Sequence, residues 1–324
     1  MMRLPTFAYR VPTDVAEAAK IIREENAMIV AGGTDLWPNM KRRQVEPKSV
    51  VALRKLDALR GWEWRADGTL RIGPMATLRE LERDKRVEEE LPALWKAIVS
   101  ISTPLLRNQG TLGGNLNLDT RCFYLNQNYE WRRAINHCLK CTGHTCWTAP
   151  GSTKCWAVNS SDCVPVMIAL DATFVLQGAD GTREVKAADL YHVDDGRDWL
   201  VKAPDEIMTD ILIPPQNGHR STYLKLRKRD SFDFPVLGVA ARVKGNGSVE
   251  AADIILNAVG PAPVRCSEAE KALIGYELKA ETIEEARALA TRAAKPLDNT
   301  DHMPSYRKKM IRVYVKRALE ELAN

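Results

Sequence analysis

Six of the chain's seven cysteines fall in one stretch: Cys122, Cys138, Cys141, Cys146, Cys155 and Cys163. The stretch follows a tight glycine turn, Gly113-Gly114, and closes around Ser160-Ser161-Asp162. Such clustering calls for a chemical cause. Thiolates are soft ligands, and four of them arranged tetrahedrally suit a zinc ion or an iron-sulfur cluster. Structural zinc usually draws on two knuckles of closely spaced cysteines, whereas here only Cys138 with Cys141 and Cys141 with Cys146 are close. The wide spread of the rest fits a cluster better, with disulfides or free thiols as the alternative. Trp131, Trp147 and Trp156 lie in the same segment and are expected to shield such a cluster from water.

The compartment bears on that choice. The start, Met1-Met2-Arg3-Leu4-Pro5-Thr6, lacks the pattern of a secretion signal, and no apolar run reaches the roughly 20 residues that span a bilayer. The expectation is a cytoplasmic protein with no membrane association. There a cysteine cluster holds metal more often than disulfides. A net charge of +5 with interleaved acids and bases is too mild for nucleic acid, and suits an acidic protein partner.

The first part of the chain reads as α/β. Asp14 with Glu17 has capping-box spacing, and Val15, Ala18, Ala19 and Ile22 share one helical face. Residues 27 to 31 form a buried strand running into Gly32 and Gly33, where the backbone can turn sharply and bring N–H groups to a ligand. A strand over 49–53, a hairpin over 61–73, a helix opened by Thr77 and Glu80, and a second helix over 87–100 follow. Two glycine turns in one domain point to a dinucleotide. The Rossmann fingerprint and the P-loop are both absent. Past the cysteines come strands over 172–177 and 207–213, a linker through Pro214 and Pro215, a three-stranded meander and three helices. In the last helix Arg307, Lys308, Lys309, Arg312, Lys316 and Arg317 are read as solvated, opposite an apolar face of Ile311, Val315, Ala318, Leu319 and Leu322.

Five short motifs then occur in a telling order: residues 29–36, Thr111 to Asn115, Asp162, Tyr223 to Lys225 with Arg227 and Asp230, and Gly260 to Arg265. Together they resemble the FAD-binding subunit of the xanthine oxidase, or molybdenum hydroxylase, family. That resemblance implies an α+β chain, with a two-subdomain α/β FAD-binding domain of the PCMH/VAO type over residues 1–216 and a C-terminal domain over 217–324 built on a three-stranded antiparallel sheet with helices. For the FAD it implies contacts from Ile29, Val30, Ala31, Gly32, Gly33, Thr34, Asp35 and Leu36 at the pyrophosphate, and from Thr111, Leu112, Gly113, Gly114 and Asn115 as a second phosphate loop. Ile101 would pack at the isoalloxazine, Asp162 and Met208 would contact the cofactor, and Lys225 would stand near the flavin. Read without the family, Lys225 is a surface lysine and Asp35 a helix cap.

The chain departs from the common family pattern by an insertion over 116–161 that carries the cysteines. The insertion resembles one found in a reductive branch of the family, where it holds an extra 4Fe-4S cluster. By that resemblance Cys122, Cys138, Cys146 and Cys155 are the ligands and Cys141 is spare, although spacing alone would have used the Cys138–Cys141 pair. Cys163 and Cys266 are read as core residues, and His137 and His144 as minor alternatives to a thiolate. No acid-base or nucleophile constellation marks a catalytic site, so the chain is expected to carry electrons. The resemblance implies reduced ferredoxin as donor, 4-hydroxybenzoyl-CoA as the substrate reduced, and a dimer of heterotrimers with a molybdenum-pterin large subunit and a 2Fe-2S small subunit. An oxidising hydroxylase passing electrons outward, and a zinc-stapled assembly module without flavin, are the competing readings.

Overall fold

A computed structural model describes residues 3–191 and 193–323. Its strands fall into three sheets. The first is parallel, with strands β1 (Ala8–Arg10), β2 (Met28–Val30) and β3 (Ser49–Ala52) in the order β1-β3-β2. Between β1 and β2 runs the helix Val15–Glu25, started by the Asp14 carboxylate accepting from Glu17 N–H and ended by Asn26 in the left-handed region at φ 47°. Glu17 turns back to Thr13 rather than to Asp14, so the reciprocal half of the expected capping box is missing. Val15, Ala18, Ala19 and Ile22 pack on Val51, Leu53 and Leu56, while Met40, Val30, Val50 and Ala52 fill the opposite face. The central strand β3 is therefore buried on both faces, while β1 and the start of β2 remain partly exposed at the edges.

The second sheet joins β4 (Trp62–Trp64), β5 (Leu70–Ile72), β6 (Thr173–Gly178), β7 (Gly181–Lys186) and β8 (Ile207–Ile213) in the order β4-β5-β8-β6-β7. The helix expected over 87–100 is two helices, Lys85–Glu90 and Pro92–Ser100, because Leu91 precedes a proline and leaves the helical region at φ −130°, ψ 57°. The apolar run after Asp162 is a fully buried helix, Cys163–Ala169, in the same core.

The third sheet is antiparallel, with β9 (His219–Leu226), β10 (Leu237–Lys244), β11 (Ala251–Asn257) and β12 (Val264–Arg265) in the order β12-β11-β10-β9. The three-stranded meander is thus extended by a two-residue edge strand. Alternation along its strands serves two cores. Tyr223, Ala240 and Ile255 form a cross-strand row facing the helices Pro92–Ser100 and Cys163–Ala169. Val239, Ala241, Ile254 and Leu256 face the helices Ser267–Leu273, Ala280–Ala293 and Pro304–Ala323.

One surface assignment fails. Arg307 is fully buried, and its guanidinium donates to the carbonyls of Val236 (3.0 Å), Leu297 (2.8 Å) and Ala258. It ties the last helix to the ends of β10 and β11. Among the described residues no helix is long and apolar enough to cross a membrane.

Candidate functional site

The two glycine turns meet at the seam between the first two sheets. A Cβ on Gly32 would fall 1.8 Å from the carbonyl oxygen of Gln109, so only glycine lets the first turn lie against the start of the second. Gly33 has φ +73°, the left-handed region that glycine enters freely. The N–H groups of Gly32, Gly33, Thr34 and Asp35 find no acceptor among the described residues. Successive free N–H groups on such a turn make a concavity that favours an anion, which fits a pyrophosphate.

The second turn is built differently. Thr111 caps the short helix Leu112–Leu116, and Leu112, Gly113 and Gly114 already donate to Ala76 O, Pro74 O and Thr111 Oγ1. Its contribution is close approach: a Cβ on Gly113 would meet Pro74 at 2.4 Å. Asn115 instead supports the third motif, its Oδ1 accepting from Ser161 Oγ at 2.7 Å and Cys163 N at 3.2 Å.

Asp162 lies buried where the third sheet meets the rest. Its Oδ1 accepts from the Tyr223 hydroxyl at 2.7 Å and its Oδ2 from Lys225 Nζ at 2.9 Å. Gly238 makes room for this, since a Cβ there would lie 2.8 Å from the tyrosine oxygen. Burial, reinforced by the Asp162 charge, holds the Tyr223 phenol well above its usual pKa, so it stays a donor. Lys225 also donates to Ser100 O at 3.0 Å, and Arg227 to the same oxygen at 3.1 Å. Ile101 follows that carbonyl, so Ile101, Asp162 and Lys225 are neighbours. Lys225 is thus not a surface lysine. Met208 is buried in β8 and belongs to the main core, whereas Ile207 packs with the first-sheet core, which puts Met208 at the seam as well.

Asp35 makes no capping bond to the helix Leu36–Lys41. Its carboxylate takes the guanidinium of Arg121 and the amide of Asn39 instead, joining the first glycine turn to the start of the insertion. Arg121 also stacks over Phe234 at 4.6 Å. Nothing in the local sequence signals this pair, which is 86 residues apart.

The insertion folds around its cysteines. Cys122, Cys138, Cys146 and Cys155 are buried and line one small cavity together with Tyr124, Leu125, Leu139, Lys140, Trp147, Thr148 and Ala157. Cys141 is not in that lining. Its sulfur sits 3.5 Å from Arg132 and 3.8 Å from His137 Nδ1. Arg132 is itself buried and donates to the carbonyls of Arg42 and Arg43, docking the insertion on the first domain. Of the three tryptophans only Trp147 lines the cavity; Trp131 is 39% exposed and Trp156 bonds to Ser152. Cys163 and Cys266 are core residues, and His144 is exposed.

Four thiols facing one space suit a group that binds through sulfur. Among the described residues no three His, Cys, Asp or Glu side chains are gathered to hold a metal ion. Four thiolates of this kind serve either a single zinc ion or an iron-sulfur cluster. Burial pushes the Cys155 thiol up to about 12 and raises Cys122 and Cys138, so binding there must release protons.

Comparison with known proteins covers nearly the whole chain. The family described as FAD binding domain in molybdopterin dehydrogenase matches residues 5–216, and the CO dehydrogenase flavoprotein C-terminal domain matches 222–322. The nicotinate dehydrogenase FAD-subunit of Eubacterium barkeri is 28% identical over 86% of this chain and 83% of its own. The aldehyde oxidoreductase FAD-binding subunit PaoB of Escherichia coli is 31% identical over 83% and 86%. Among solved structures, a chain of a carbon monoxide dehydrogenase from Hydrogenophaga pseudoflava that lacks the Mo-pyranopterin moiety of its molybdenum cofactor superposes with a TM-score of 0.80, at 27% identity over 98% of this chain and 97% of that one.

Proposed function

This chain belongs to the FAD-binding medium subunits of the xanthine oxidase, or molybdenum hydroxylase, family, and from that premise we propose that it is the flavin subunit of a reductive member, a 4-hydroxybenzoyl-CoA reductase. It is an oxidoreductase subunit with FAD as cofactor. The finer reading is carried by one observation, the four buried cysteines around a single cavity in the insertion. FAD stores two electrons and a 4Fe-4S cluster passes them singly, which together suit a relay.

The chain's own residues then have distinct tasks. Cys122, Cys138, Cys146 and Cys155 would hold the cluster, and Arg132 docks the insertion that presents them. The free N–H groups of residues 32–35 would neutralise the pyrophosphate. Asp162, fixed by Tyr223 and Lys225, would orient the flavin against Ile101, with the domain divide at residues 216 and 217. In this reading reduced ferredoxin is the donor, and the partners are a 2Fe-2S small subunit and a molybdenum-pterin large subunit in a dimer of heterotrimers. The relatives support such company, one being the FAD-binding subunit of an aldehyde oxidoreductase and another part of a molybdenum-cofactor enzyme. The reaction would take two electrons and two protons, and release the para-hydroxyl as water to leave benzoyl-CoA.

The named relatives favour a second reading. Nicotinate dehydrogenase and carbon monoxide dehydrogenase are named for oxidations, in which electrons leave the substrate. Steady-state assay of the purified complex separates the two. Turnover driven by reduced ferredoxin, lost in Cys122→Ala while FAD remains bound, supports the inward relay. Efficient substrate oxidation with an artificial acceptor and indifference to ferredoxin supports the outward one. Iron retained in Cys141→Ser would fit the proposed ligand set.

A further inference from the structure

Among the described residues, Lys140 is the one charged side chain in the lining of the four-cysteine cavity. Its side chain is 8% exposed, and its ammonium is held by three acceptors: Asp119 Oδ1 at 2.6 Å, Thr120 Oγ1 at 2.6 Å and Gly196 O at 2.5 Å. The charge is therefore fixed in place. Its carboxylate partner is not buried to match, since Asp119 is 42% exposed and water screens it. Lys140 lines the cavity, whereas Asp119 does not.

A purely structural role explains the lysine poorly. Thr120 Oγ1 donates to Gly196 O at 2.7 Å, and Gly196 N–H donates to Cys155 O at 2.8 Å, so these segments are already joined without it. What a neutral staple lacks is charge. Four thiolates bring four negative charges into a buried space, where an opposite charge acts strongly.

Resting on the cluster reading above, we propose that Lys140 is a positioning residue whose fixed positive charge raises the reduction potential of the group held by Cys122, Cys138, Cys146 and Cys155. One-electron reduction adds one negative charge to the site. A neighbouring cation favours the more negative, reduced form. The residue thereby sets how readily a low-potential one-electron donor can load the chain.

The test is an EPR-monitored redox titration of the purified complex, alongside iron and sulfide analysis. Lys140→Gln is expected to keep its iron and disfavour reduction by about tenfold, which is about 59 mV for a one-electron couple, and Lys140→Arg to restore most of the shift. An unchanged potential in Lys140→Gln with iron retained overturns the proposal. Should Lys140→Gln lose its iron, Lys140→Met decides: with iron retained its potential should fall by the same amount, and either an unchanged potential or a second loss of iron counts against the proposal. Absence of iron in the unsubstituted complex would sink the cluster reading and this inference together, whereas an unshifted potential sinks only the inference.

Discussion

Lys225 Nζ lies 2.9 Å from Asp162 Oδ2, and both side chains are only 4% exposed. The pair joins a strand of the C-terminal sheet to the segment that follows the insertion, with Tyr223 and Ser100 completing its hydrogen bonds. Removing one partner of a buried pair leaves the other charge without compensation, at about 3–5 kcal/mol. Lys225→Met should lower stability by that order and empty the flavin site. Denaturant unfolding and bound-flavin absorbance report the two effects, and a stable variant that kept its flavin would deny the pair its role.

The first glycine turn allows a sharper test of the FAD site. Gly32→Ala places a methyl where Gln109 O already stands, whereas Gly151→Ala meets nothing within 4 Å. The first substitution should weaken FAD binding by about tenfold or more, a loss of about 1.4 kcal/mol. The second should bind as the parent does. Flavin titration of the apoprotein measures both, and equal affinities would argue against contact between this turn and the cofactor.

Arg307 should behave as a core residue. Its loss leaves the carbonyls of Val236 and Ala258 without a donor in the interior and takes one of two donors from Leu297 O. Arg307→Met is expected to cost about 3 kcal/mol or more. Lysine cannot reproduce the fork and should rescue little. Denaturant midpoints for the two variants check this, and a shift no larger than that of Lys308→Met would contradict it.

Cys266 makes an alkaline prediction. Burial raises its thiol from 9.0 to about 12, so above pH 9 the folded chain keeps a proton that the unfolded chain releases. Its contribution is fully present below pH 9 and is lost as pH rises toward 12, with a slope of up to about 1.4 kcal/mol per pH unit. Cys266→Ala should be less stable at neutral pH yet lose stability less steeply between pH 9 and 11. Equal slopes for parent and variant would refute the assignment.

The legible parts of this molecule were those written in local patterns. The helix after Asp14, the hairpin turned at Asp67 and Gly68, the strand ending at Ile213 and the meander that begins near Ser221 all follow from periodicity and turn residues. The illegible parts depend on distant partners. Arg307 looked solvated because charge and helical spacing say nothing about three carbonyls arriving from β10, β11 and the loop at Leu297. Asp35 looked like a cap because Arg121 is remote in sequence. The break at Leu91 was visible in principle, since Pro92 follows it, but a continuous apolar face masked it. At the candidate site the glycine turns announced themselves. The Asp162–Lys225 pair and the separation of Cys141 from the other four cysteines needed the fold or the family resemblance to be read at all.

The central claim is that one polypeptide holds both FAD and a four-thiolate cluster. The direct measurement is anaerobic purification of the complex, followed by FAD, iron, sulfide and zinc analysis per chain and EPR of the reduced protein. The account predicts FAD with about four iron and four sulfide beyond those of the partner's 2Fe-2S clusters, the content of one cubane. Zinc in their place, or no metal beyond the partner's share, would contradict it and leave the chain a conventional flavin subunit with an inert insertion.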